Sequence, residues 1–271
     1  MQKNMSLVDL RPIFYTLPPK PYPYILINAN NPSVGLSCIR KYRKNIKSVI
    51  IDCGIEIFRD IKVKDYPKNW VNRLIRLYYY VKSTLPENVE VFVTCPDYCD
   101  DYYPKSLWIN DEITNIERTV QNVINYTGKY NVNWLISIQG WYKKPNSVLR
   151  CIKLYREYGI IKEFNFFAVG NLCVESNKKI IYQTISLVRK ELRNKRLHIF
   201  GLKLNVFPLV KHLIDSFDSM AWTRPVSRKL CANWSCKNKE ERIRFFETWL
   251  NRLNQLKSQT SLKLKTEGDV K

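Results

Sequence analysis

The stretch Ser216-Phe217-Asp218-Ser219-Met220-Ala221-Trp222-Thr223-Arg224-Pro225 sets one acid in the middle of an apolar, strand-like run that stops at Thr-Arg-Pro. Proline lacks a ladder donor, so a strand read over 216–222 must end there. A carboxylate among Phe217, Met220, Ala221 and Trp222 is costly to bury unless something pairs with it. Other short apolar runs end in the same way, on an acid, an amide or a glycine: Asp52-Cys53-Gly54, Pro96-Asp97, Gln139-Gly140, Gly170-Asn171 and Gly201. Carboxylates at such ends can serve as nucleophile or as general acid and base. With an amide beside them they match the donor edge of a purine-like base, and the glycines let a flat ligand approach the backbone closely.

The elements that carry these residues are legible from periodicity. Strand-like runs cover 13–17, 24–28, 48–52, 89–94, 134–139, 164–169, 198–201 and 216–222. Several are continuously apolar rather than alternating, as expected of parallel strands covered on both faces. Helical spacing links Val71, Leu74, Ile75, Tyr78, Val81 and Leu85, and again Ile181, Ile185, Val188 and Leu192. Asn110 is placed to cap a helix through Ile113, Ile116, Val120 and Val123. Leu149, Ile152 and Tyr155 mark another helix, which Gly159 would end. A short helix follows over 206–214, and a last amphipathic one carries Ile243, Phe246, Leu250, Leu253 and Leu256. Strands alternating with helices imply βαβ units and a parallel sheet, and eight strands favour a closed TIM (β/α)8 barrel. The reading is one α/β domain over 1–257 and a polar, lysine-rich tail over 258–271. The connection over 18–23 is too short for a helix, so the opening strands are expected to be irregular. No G-x-G-x-x-G or P-loop motif points to a nucleotide-binding sheet instead.

Bulk composition narrows the partner. Lys and Arg number 45 against 24 Asp and Glu, a formal charge of +21 on 271 residues, and this predicts a polyanionic partner. There is no signal-peptide layout and no apolar run long enough to span a bilayer, so a cytoplasmic protein without a membrane partner is expected. The eight cysteines are scattered and read as reduced. Cys95 and Cys99, or Cys231 and Cys236, lack a zinc-knuckle spacing, so neither a metal nor a cofactor is expected. Arg224, Arg228 and Lys229 directly follow the acid of the last strand and are the best candidates for phosphate contacts. The basic runs over 40–47 and 178–196 read as solvated helix faces.

The order of these motifs resembles the tRNA-guanine transglycosylases, TIM barrels that exchange guanine for a 7-deazaguanine base. Phe217-Asp218 followed by Thr223-Arg224 resembles that family's F-D-x-x-x-x-T-R, and Asp52-Cys53-Gly54-Ile55 with Phe58 resembles its D-S-G-G-F-Q. Ser137-Ile138-Gln139-Gly140 is similar to V-Q-G, and Ala168-Val169-Gly170-Asn171-Leu172 to I-G-G-L. The likeness spans roughly residues 48–228. It implies Asp218 as nucleophile, Asp52 as second catalytic acid, and Asp97, Gln139, Gly140, Gly170 and Asn171 as base-binding residues. The family's C-x-C-x-x-C zinc signature and appended RNA-binding domain are missing from the sequence. That makes the chain most similar to the zinc-free DNA-guanine transglycosylases of phages and bacteria. The implied substrates are DNA, with tRNA as the alternative, and a free base such as 7-cyano-7-deazaguanine; a second copy of the chain, in a homodimer, or a partner subunit is the implied protein partner. Two rivals are a carboxylate-based glycosidase that uses Asp52 and Asp218, and a non-catalytic nucleic-acid-binding barrel.

Overall fold

Eight short parallel strands form one sheet in the order β1-β8-β7-β6-β5-β4-β3-β2. They are β1 (Ile13–Tyr15), β2 (Tyr24–Asn28), β3 (Ser48–Asp52), β4 (Glu90–Thr94), β5 (Trp134–Ile138), β6 (Phe166–Val169), β7 (Arg196–Ile199) and β8 (Ser216–Asp218). The structure, a computed structural model, describes residues 11–60, 62–100, 113–223 and 239–259. A single parallel bridge closes the seam between β1 and β2: Thr16 N donates to Tyr24 O at 3.3 Å and Leu26 N to Thr16 O at 2.8 Å. The helices between strands are α1 (Ser33–Tyr42), α2 (Trp70–Thr84), α3 (Asn115–Thr127), α4 (Val148–Glu157) with the one-turn α5 (Ile160–Glu163), α6 (Lys178–Glu191) and α7 (Phe207–Val210); α8 (Lys239–Ser258) follows the last strand. The fold is a single-domain TIM-type barrel, as the alternation of strands and helices predicts.

The two-residue period of each strand sorts its side chains. Inward positions are Ser48, Ile50 and Asp52 on β3, Arg196 and His198 on β7, and Ser216 and Asp218 on β8. Low in the barrel, Arg196 pairs with Glu90 at 3.3 Å and covers the rings of Phe92 and Phe166 at 5.0 and 4.3 Å. Midway, Tyr15 reaches across from β1 to donate to Ser48 Oγ at 2.9 Å. Burial pushes this phenol up to about 12, so it stays a neutral donor. The top layer holds Asp52 and Asp218, each the last residue of its strand. Outward residues such as Phe14 and Phe217 pack under Trp249 of α8, with ring centroids at 4.3 and 6.5 Å.

No helix joins β1 to β2, as the short connection predicts. α8 protects that gap instead, placing Phe246 against Tyr22 and Trp222 at 5.4 and 5.1 Å. Other expectations need correction. β8 ends at Asp218 rather than at Trp222, because Trp222 Nε1 donates to Thr16 Oγ1 at 2.7 Å and the chain turns into a 3-10 helix over Ala221–Thr223. α3 is capped by Thr114 rather than by Asn110, which lies outside the described residues. The Thr114 hydroxyl accepts from Glu117 N while the Glu117 carboxylate accepts from Thr114 N, a reciprocal capping box. α1 extends N-terminally from the basic run that begins at Arg40, burying Gly35, Cys38 and Ile39 ahead of it. Gly159 does stop α4, with φ of 76°. Among the described residues no helix is long and apolar enough to cross a membrane. The proposed tail lies almost wholly outside the described residues.

Candidate active site

Strand ends and the loops after them enclose a cleft of about 560 Å³ whose walls include Asp52, Asp97, Gly170, Gly201 and Asp218. This is within the ~300–1,000 Å³ typical of small-molecule sites. Three acids expected from separate strand ends therefore do line one cleft. The loop after β8 adds Ser219, Met220, Ala221 and Thr223, and the loop after β3 adds Glu56 and Arg59.

The acids sit in unlike surroundings. Asp218 is buried, and its Oδ1 accepts from Gly201 N at 3.0 Å and pairs with His198 Nε2 at 3.3 Å. Gly201 has φ of 65°, a conformation that lets its N–H turn back toward the carboxylate at little steric cost. Among the described residues nothing hydrogen-bonds Oδ2 of Asp218. Asp52 is half-buried, and among the described residues it accepts one bond, from Gly54 N at 3.3 Å. Burial first, then the nearby charges of Glu56, Asp97 and Asp218, push its carboxyl well above the usual aspartate range. Glu56 is held in place by Asn28 Nδ2, which donates to it at 2.6 Å. The cleft thus holds one carboxylate braced by donors and one acid pushed toward its neutral form.

No known protein family and no curated protein matches this chain in sequence.

Asp97 is 3% exposed and anchors the far wall. Its Oδ1 accepts from the Cys53 thiol at 3.0 Å, its Oδ2 from Gln139 Nε2, and its backbone carbonyl from Tyr66 OH at 2.9 Å. Burial pushes the Asp97 carboxyl up, and the Cys53 and Gln139 donors oppose the shift. Burial and the adjacent acids also push the Cys53 thiol well up, so it remains a donor rather than a thiolate. Gln139 lies fully buried behind Asp97, outside the cleft lining. Gly140 and Asn171 do not line the cleft either. A Cβ at Gly140 would meet Asn171 Nδ2 at 2.8 Å and Ser147 Oγ at 2.9 Å, so this glycine makes room for the packing behind the wall. Arg224, Arg228 and Lys229 lie outside the described residues, and among the described residues no cluster of three or more His, Cys, Asp or Glu could hold a metal ion.

Strand ends alone do not point to His198, Glu56 and Tyr66 as parts of this site. For His198 a signal was present: an imidazole two residues before Phe200, at inward parity, in a chain with only 2 histidines. Gly170 offers a direct check on the wall. A Cβ there would overlap the Gln139 amide nitrogen and lie 3.1 Å from Asp97 Oδ2. Gly170→Ala should therefore dislodge the Gln139–Asp97 pair and lower stability by about 1–3 kcal/mol, read from the denaturant midpoint. An unchanged midpoint would mean that the wall is loosely packed.

Proposed function

We propose that this protein is a base-exchange glycosyltransferase that replaces guanine in DNA with a 7-deazaguanine base. The observation that supports it most is the pairing of unlike acids across one cleft, Asp218 braced by two donors and Asp52 favouring its neutral form. Double displacement at a glycosidic bond needs that division of labour. In the first step an oxygen of Asp218 attacks the anomeric carbon, the bond to guanine breaks, and the leaving base takes the electron pair and a proton from Asp52. This leaves a sugar–aspartyl ester. The incoming base then gives its N9 proton to Asp52 and attacks the same carbon, which frees Asp218.

Base recognition falls to Asp97 and the Gly170 backbone at the cleft surface, with Gln139 bracing Asp97 from behind. The target nucleotide must leave the stack to enter such a cleft. The excess positive charge, together with Arg59 and Lys203 in the cleft lining, supports a polynucleotide substrate.

Incubation with radiolabelled guanine, duplex DNA and bulk tRNA tests the reading. Label is expected in DNA, and free 7-cyano-7-deazaguanine should suppress its incorporation. Label in tRNA alone would transfer the same chemistry to a different polymer, and label in neither would refute base exchange.

A further inference from the structure

His198 is fully buried in the middle of the barrel, where an aliphatic residue would pack without needing a partner. Both of its nitrogens are used. Nδ1 lies 2.9 Å from Ser216 Oγ and Nε2 lies 3.3 Å from Asp218 Oδ1. A neutral imidazole satisfies both contacts when the Ser216 hydroxyl donates to Nδ1 and Nε2–H donates to Asp218. The ring cannot easily turn away. Tyr15, Phe166 and Phe200 pack around it with centroids at 5.8, 6.4 and 4.8 Å, all close to edge-to-face. Tyr15 is itself tied to Ser48.

We propose that His198 is the positioning residue for Asp218. Together with Gly201 N–H it fixes Oδ1, so the carboxylate cannot rotate about its last bond and Oδ2 is presented to the cleft. Ser216, two residues earlier on the same strand face, orients the imidazole in turn. The line Ser216–His198–Asp218 supports the reacting group from below and needs no contact with substrate. A misplacement of about 1 Å at a reacting atom can cost ~100-fold in rate. The loss expected here is in kcat rather than in substrate binding.

The kinetic part of this inference rests on the base-exchange reading; the bond itself does not, so two arms test it. In the kinetic arm His198→Leu should lower kcat for guanine exchange by ~100-fold, with KM for the free base within about twofold, and should also lower the thermal midpoint, because the buried Asp218 carboxylate and Ser216 hydroxyl each lose a partner. His198→Gln, which retains an N–H donor, should recover about tenfold of that loss. A folded His198→Leu protein within about threefold of normal kcat would overturn the role, while Asp218→Asn would still report on the base-exchange reading. In the second arm a His212→Gln background leaves His198 as the sole imidazole, to be followed by nitrogen-15 NMR. Asp218→Asn and Ser216→Ala should each shift a different ring nitrogen. If exchange is absent altogether, this arm decides, and imidazole signals indifferent to both substitutions would overturn the proposal.

Discussion

Asp218→Asn is expected to abolish guanine exchange while leaving the barrel folded. The amide oxygen can still accept from Gly201 N–H and from His198, so the local geometry survives. What disappears is the anionic oxygen that would attack the anomeric carbon. Covalent enzymes stripped of their nucleophile lose on the order of 10⁶-fold in kcat. Thermal melting and single-turnover exchange on the same sample check both halves of this expectation. A folded variant that exchanges guanine at a near-normal rate would remove Asp218 from the chemistry, whatever else the cleft does.

Asp52→Asn should give the second largest loss, ~10²–10⁴-fold, the usual contribution of a positioned proton donor. Its stability should move in the opposite direction from its activity. The folded carboxyl is held well above its ordinary range, by burial first and by Glu56, Asp97 and Asp218 after it. The folded state therefore binds that proton more tightly than the unfolded chain does. The resulting stabilisation is complete below the ordinary aspartate range and is lost as pH rises through the raised folded value. At neutral pH the wild type carries the cost of a crowded acid, and the neutral amide does not. Asp52→Asn should thus melt at the same or a higher temperature at neutral pH, and the gap should close in acid. A variant that is both active and less stable at neutral pH would contradict the assignment of this residue.

Much of the layout was legible because strands have a simple period and barrels use one end. Asp52 and Asp218 each follow an apolar run at the parity that faces inward, so strand alternation alone brings them to the mouth. Asp97 reaches the same mouth from the loop, three residues past the end of β4. Legibility failed where a contact joins distant segments. Nothing near Trp222 in sequence announces its bond to Thr16, which bends the chain out of β8 four residues earlier than proline would. Gln139 and Asn171 share their strand-end positions with the acids, but Gly140 and Gly170 let them sink behind the wall instead of lining it. Glu56 lies two residues past Gly54, and only the fold shows it beside Asp52. His198 reads in sequence as one more strand residue; its importance depends on Ser216 and Asp218, both contributed by the neighbouring strand.

The central claim is a covalent bond between Asp218 and the sugar of the target nucleotide. Incubation with duplex DNA without an incoming base, followed by denaturing quench, proteolysis and mass spectrometry, tests it most directly. The account predicts a nucleotide-bearing peptide that contains Asp218, which disappears when 7-cyano-7-deazaguanine is added before the quench and is never formed by Asp218→Asn. Exchange of labelled guanine that proceeds while the adduct maps to any other residue would contradict it.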